Sequence, residues 1–209
     1  MTQGLFISLD GVDGAGKSTQ CRWLAEWLHE QGHRVVPCRD PGGTPTGDRI
    51  RTLLLDRHSQ MSLTCEALLY MASRAQLCEE IIRPARERGD IVVCDRFLLA
   101  NVVYQGHAGG LSPDLLWKLG DIATGGLLPD LTLVLDVPSD VAMRRKGGPT
   151  DRLESRGAEF HARVRAGFLQ EAQRQPDRIQ VIDATRPLEA VRDTIREEVR
   201  RVLVARSRP

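Results

Sequence analysis

Short apolar runs alternate along this chain with longer stretches in which apolar residues recur every three or four positions. LFISLD (5–10), RVVPC (34–38), IVVCD (91–95), LTLVLDV (131–137) and RIQVID (178–183) are near-continuously apolar, the pattern of strands buried on both faces of a parallel sheet. After the first run, Thr19 to Gln31 sets Leu24, Trp27 and Leu28 on one helical stripe, and Gly32 stops it. Residues 65–83 read as one long helix ending ahead of Pro84. Ser112-Pro113-Asp114 is an N-cap signal for another helix, and Pro187 opens the last. This alternation predicts an α/β fold, a doubly wound parallel sheet of five strands in a single domain over residues 1–209. No repeat, low-complexity linker or domain boundary interrupts it.

One segment breaks the rhythm. RRKGGPTDRLESRG (144–157) carries glycines, a proline and the cations Arg144, Arg145, Lys146, Arg152 and Arg156. It reads either as a solvated loop or as a mobile lid that carries arginines to an anion.

Composition narrows the function. The 209 residues are 41% hydrophobic, enough for one real core. Lys+Arg 29 against Asp+Glu 28 leaves a net charge of +1, without the basic excess of a general nucleic-acid binder. Lys17, Lys118 and Lys146 are the only lysines, a bias that fits genomic base composition and makes Lys17 conspicuous. Cys21, Cys38, Cys65, Cys78 and Cys94 form no CxxC pair and lie in apolar stretches, so buried free thiols are expected. No apolar run approaches the ~20 residues of a membrane span, and a strand begins within a few residues of Met1. A cytoplasmic protein with no membrane partner is the expectation.

The chemistry begins at Gly11-Val12-Asp13-Gly14-Ala15-Gly16-Lys17-Ser18-Thr19, which fulfils the phosphate-binding pattern GxxxxGK[ST] between a strand and a helix. Glycines let backbone N–H groups converge on phosphate, and the following helix adds its positive end. Lys17 reaches the β- and γ-phosphates and Ser18 takes Mg²⁺. By itself this pattern serves a switch, a motor or a phosphotransferase. His29-Glu30-Gln31-Gly32-His33 matches the HExxH zinc signature in letters only, because Gly32 ends the helix and the two imidazoles diverge. Asp95, ending a strand, is a candidate for Mg²⁺, whereas Asp136 reads as structural. Arg39-Asp40-Pro41-Gly42-Gly43-Thr44 faces the crevice at the second strand's end. Arg74 lies one turn after Tyr70, and Arg96, Tyr104 and Gln105 follow the third strand.

Taken together, GVDGAGKSTQ, RDPGGT, ALLYMASRAQ, CDRF with VYQG, DRLE and FHARVRAGFL resemble the bacterial type of thymidylate kinase, in order from residue 5 to about 187. The resemblance implies transfer of the ATP γ-phosphoryl group to dTMP, on a P-loop nucleoside monophosphate kinase fold with a short lid. It implies that Arg39 and Arg96 hold the dTMP phosphate and that Tyr70 stacks on thymine. Arg74 and Gln105 would bond its polar edge, Asp13 would accept from the 3′-hydroxyl, and Tyr104 would crowd the 2′ position. It also implies a homodimer. Asp10 and Asp40 stand where the family usually has glutamate, Phe97 for tyrosine, Ala100 for serine and His107 for glycine. In one branch of the family the position of Gly14 is basic. In the other it is uncharged and the lid supplies arginine, and this chain resembles the second, with Arg152 first and Arg145 next as catalytic arginines. A kinase for another nucleoside monophosphate, or a P-loop switch ATPase, are the competing readings.

Overall fold

Five parallel strands form the middle layer: β1 Phe6–Gly11, β2 Val35–Arg39, β3 Ile91–Asp95, β4 Leu131–Asp136 and β5 Ile179–Asp183, in the order β2-β3-β1-β4-β5. A computed structural model describes residues 3–145 and 157–207 of the chain. Each strand starts and ends within a residue or so of its apolar run. In the central strand Ile7 lies between Val93 and Leu131. Side chains alternate across the sheet: Ile7, Leu9 and Val93 join one core cluster, while Phe6, Val92 and Cys94 join a second. Both faces are covered, so both sets of positions are apolar.

The helices are α1 Lys17–Glu30, α2 Pro45–Leu55, α3 Leu63–Leu77, α4 Arg83–Glu87, α5 Leu98–Asn101, α6 Pro113–Thr124, α7 Ser139–Arg145, α8 Ala158–Arg174 and α9 Leu188–Ser207. Helices α1 and α9 pack together on one face. Against the other lie α4, α5 and α8, with α3 and α6 packed on α5. Side chains of Thr44, Ser62 and Ser112 cap α2, α3 and α6, each accepting a backbone N–H two or three residues on. Helix α1 ends at Glu30, so His29 and His33 do share no helix. Among the described residues no helix is long and apolar enough to cross a membrane.

Two expectations need correction, and one feature was not expected. The helical run from Leu63 does not stop before Pro84. It passes through a π-helical turn, Cys78–Ile82, into α4, where Pro84 occupies a first-turn position that needs no N–H donor. A second π-helical stretch, Val102–His107, continues α5 and had no sequence signal. The cysteines are all free, but only Cys21, Cys78 and Cys94 are buried; Cys65, in the first turn of α3, is exposed, because that turn faces solvent.

Because the strands are parallel, their carboxyl ends share one edge. The loop after β1, Arg39 of β2, and Asp95-Arg96 at the end of β3 therefore converge there.

Candidate active site

The loop Gly11–Gly16 leaves β1 and opens α1. Gly11 has φ +132, and a Cβ there would lie 2.5 Å from the Leu135 carbonyl oxygen. Gly14 has φ +83, and its Cβ would meet the Ala142 carbonyl oxygen at 2.1 Å. Any side chain at position 14, basic ones included, would push α7 away from the loop. That is the physical reason for glycine here. Lys17 is buried, its Nζ donating to the Val12 carbonyl at 2.7 Å and lying 4.0 Å from Asp13. Burial lowers the ammonium to about 8, with the Arg96 charge in the same direction and Asp13 and Asp95 opposing. The Ser18 hydroxyl donates to Asp95 Oδ2 at 2.5 Å.

Arg96 is the hinge between two concavities. Its backbone is left-handed, φ +69, a conformation that costs a non-glycine residue on the order of 1–2 kcal/mol. The surroundings fix it: the backbone N–H donates to Leu9 at 2.9 Å, and the guanidinium donates to Gly11 O at 2.9 Å and to Asp13 while lying over the Tyr104 ring. Strain held this firmly at a strand end marks a functional position. Tyr104 also donates to Asp13, at 3.3 Å.

On one side of Arg96 an open cleft of about 440 Å³ is lined by Asp13, Gly14, Gly16, Lys17, Ser18, Thr19, Arg39, Asp95 and Arg145 among others. Gly11, Val12 and Ala15 belong to the same loop but are not among the residues that line the cleft. On the other side, a narrower pocket of about 160 Å³ brings together Tyr70, Arg74, Tyr104 and Gln105, with Asp13 and Arg96 shared between the two. The sequence-predicted residues therefore gather at one place, except Arg152, which lies outside the described residues, as does most of the segment 144–157 expected to form a lid. Arg145 lines the cleft, but its guanidinium donates to the carbonyls of Ala184 and Thr185, at 2.5 and 3.0 Å, tying α7 to the loop after β5. Asp136 is taken up by both arms of Arg165, at 2.7 and 2.8 Å, as a structural residue would be.

Three residues were missed. Arg51 lines both concavities, donates to the Pro41 carbonyl at 2.9 Å, and is pushed below the usual guanidinium range by burial and by Arg39 and Arg96. Cations crowded at one place repel unless an anion joins them, so this cluster is built for phosphate. Its position nearly two turns into the helix that follows RDPGGT is a signal that could have been read. Asn101 lines the narrower pocket, and its Oδ1 accepts from Arg74 at 3.1 Å. Asp40 pairs with Arg74, Nε to Oδ2 2.6 Å, each side chain 1% exposed. Arg74 thus reaches the pocket as half of a buried ion pair. Tyr70 and Phe97 add aromatic wall, Phe97 under the Arg74 guanidinium.

A phosphate-binding loop at the end of β1 and a second pocket lined by arginines define a P-loop kinase with a separate phosphorylated acceptor. The chain matches the family model of thymidylate kinase over residues 9–195. It is 47% identical over 206 residues to the thymidylate kinase of Symbiobacterium thermophilum, covering 98% of this chain and 96% of that one. It is 48% identical over 189 residues to that of Deinococcus radiodurans, covering 90% and 92%. The crystal structure of thymidylate kinase from Ehrlichia chaffeensis superposes with a TM-score of 0.78 at 31% identity, covering 94% of this chain and 99% of that one. The chain belongs to the thymidylate kinase family.

Proposed function

We propose that this enzyme transfers the γ-phosphoryl group of ATP to the 5′-phosphate of dTMP, giving dTDP, with ATP in the P-loop cleft and dTMP in the Tyr70 pocket. The observation that carries the assignment of sites is the pair of concavities sharing Asp13 and Arg96 on the wall between them. A phosphomonoester has its second pKa near ~6, so the acceptor oxygen is already charged at neutral pH and needs no strong base. It bonds to the γ-phosphorus as the bond to the bridging oxygen breaks, and ADP leaves with the electron pair.

The work of the protein is neutralisation and alignment of two polyanions. Loop N–H groups and the start of α1 hold the donor phosphates, and Lys17 exchanges Val12 O for the β- and γ-oxygens. Arg39, Arg51 and Arg96 face the acceptor phosphate. The base lies on Tyr70 with its polar edge toward Arg74, Gln105 and Asn101, while Asp13 accepts from the 3′-hydroxyl and Tyr104 crowds the 2′ position. Arg152 and Arg145 complete the charge when the lid closes.

The Ser18 hydroxyl and Asp95 carboxylate fit a hydrated Mg²⁺, being paired hard oxygen donors beside the loop, with phosphates and water supplying the other ligands. Among the described residues no group of three or more His, Cys, Asp or Glu is placed to hold a metal alone, which suits an ion carried in with the nucleotide. When bound, the ion supplies positive charge to the β- and γ-oxygens. Five free cysteines support a reducing, cytoplasmic setting. The exposed Leu53, Leu68, Leu115 and Ile122 lie on α2, α3 and α6, which pack on one another, and support a homodimer through that layer. Leu68→Glu should then sediment as a monomer where the parent sediments as a dimer.

With ATP and Mg²⁺, the enzyme should convert dTMP at least about tenfold better in kcat/KM than dCMP, dGMP or dAMP, ~1.4 kcal/mol of discrimination. Equal use of another monophosphate would replace the acceptor assignment, and hydrolysis indifferent to any acceptor would make the chain a switch ATPase.

A further inference from the structure

Behind the narrower pocket a chain of side chains runs between two buried carboxylates. Gln105 Nε2 donates to Glu66 Oε1 at 2.7 Å, and Asn101 Nδ2 donates to Gln105 Oε1 at 2.7 Å. Arg74 Nη1 donates to Asn101 Oδ1 at 3.1 Å, and Arg74 Nε to Asp40 Oδ2 at 2.6 Å. All five residues are buried. Asn101, Gln105, Arg74 and Asp40 line the pocket, whereas Glu66, on α3, does not.

The ends of this chain dictate its direction. A guanidinium can only donate and a carboxylate can only accept. Arg74 therefore turns the Asn101 oxygen toward itself, which points the Asn101 amide N–H₂ at the Gln105 oxygen. Glu66 demands the Gln105 N–H₂ from the opposite end. Amide groups are nearly symmetric in shape, and an isolated Gln would turn over at little cost. Here either turnover would set oxygen against oxygen in a buried site, where unpaired polar groups cost about 1–3 kcal/mol each.

We infer that Glu66 is a positioning residue that fixes which way Gln105 presents its amide to the acceptor base. The inference rests on the reading of this pocket as the base site. Thymine and cytosine carry opposite patterns on the edge concerned: an O4 acceptor beside an N3–H donor, against an N4–H₂ donor beside an N3 acceptor. A pocket wired in one direction distinguishes them, and a pocket whose amide turns freely does not. Glu66 touches neither base nor phosphate, so its effect passes through Gln105.

The test is the ratio of kcat/KM for dTMP to that for dCMP in the parent, Glu66→Gln, Gln105→Ala and the double variant, with KM for ATP and the melting temperature alongside. Glutamine keeps the shape of Glu66 but offers either an oxygen or an N–H₂, so one of the two ends that hold Gln105 in its direction is lost. The ratio should fall at least fivefold with KM for ATP unmoved, and the double variant should match Gln105→Ala alone. A ratio within twofold of the parent overturns the proposal, as does a second, equal loss when Glu66→Gln is added to Gln105→Ala, which marks a general structural role. Should Glu66→Gln not fold, Glu66→Met asks the same question by leaving the Gln105 N–H₂ without a carboxylate acceptor, and an unchanged ratio overturns the proposal. A parent with no preference for dTMP fails on the base-site reading, and the proposal falls with it.

Discussion

Replacing Asp40 by asparagine should destabilise this enzyme more than almost any other single isosteric change. Asp40 and Arg74 are each 1% exposed and 2.6 Å apart, and Arg74 finds its remaining contacts in Asn101, Met71 and the face of Phe97. None of these carries a negative charge. Burial pushes the Asp40 carboxyl up, and the Arg74 charge works against that rise. Asp40→Asn keeps the size and one acceptor oxygen but leaves a buried guanidinium without a counter-charge.

Breaking a buried pair from one side costs about 3–5 kcal/mol. In a domain of this size each kcal/mol is worth ~2–4 °C, so the melting temperature should fall by roughly 6–20 °C. Urea unfolding gives the free energy directly, and calorimetry the midpoint. The pair itself is worth much less than its rupture. The double variant Asp40→Leu with Arg74→Met removes both charges and should recover most of the loss, to within about 1–2 kcal/mol of the parent. A single Asp40→Asn whose unfolding free energy stays within ~1 kcal/mol of the parent would refute this reasoning. So would a double variant no better than the single one.

Two further outcomes concern the phosphate side. Burial lowers the Lys17 ammonium to about 8, and donor phosphates must raise it, so the nucleotide-bound enzyme holds a proton that the free enzyme has lost above that pH. ATP affinity should accordingly fall as pH rises through 8, and calorimetry at pH 8.5 in buffers of different ionisation heat should register uptake of more than half a proton, vanishing at pH 7; no uptake at pH 8.5 counts against a buried, phosphate-seeking Lys17. Arg51→Ala removes a charge-assisted contact worth about 1.5–3 kcal/mol, so KM for dTMP should rise by roughly one to two orders of magnitude with KM for ATP near the parent value. A parallel rise for ATP would move Arg51 to the donor side.

What was legible in the sequence depended on how local its cause is. The strands are legible because a parallel sheet covered on both faces has no solvent side to alternate with, so each shows as an apolar run. The P-loop is legible because its glycines answer to backbone demands within a few residues. The Arg74–Asp40 pair spans 34 positions and the Gln105–Glu66 bond 39, and no periodicity links such positions. Arg74 was found, by its spacing from Tyr70, but not its partner. The π-helical stretch that carries Tyr104 and Gln105 was invisible for a different reason: a wider hydrogen-bond register leaves no trace in which residue types occur. Pro84 misled because its ordinary meaning, a helix stop, is reversed at the first turn of a new helix.

One residue type does opposite jobs a few ångströms apart here, and the partners decide which. Arg39 pairs with Asp48 at 3.2 Å where both are half-exposed, a solvent-screened ion pair easily traded for phosphate. Arg51 has a carbonyl partner and repelling neighbours, so it too is ready for an anion. Arg74, fully buried against Asp40, is electrically spent. It presents N–H donors with no net charge behind them, which suits the uncharged edge of a base. On the proposed assignment, a free guanidinium at that depth would compete with Arg39, Arg51 and Arg96 for the acceptor's phosphate and invite it in the wrong way round. The near-neutral balance of the whole chain hides this division: the carboxylate paired with Arg74 is fully buried with it, whereas those paired with Arg39 and Arg96 are partly open to solvent.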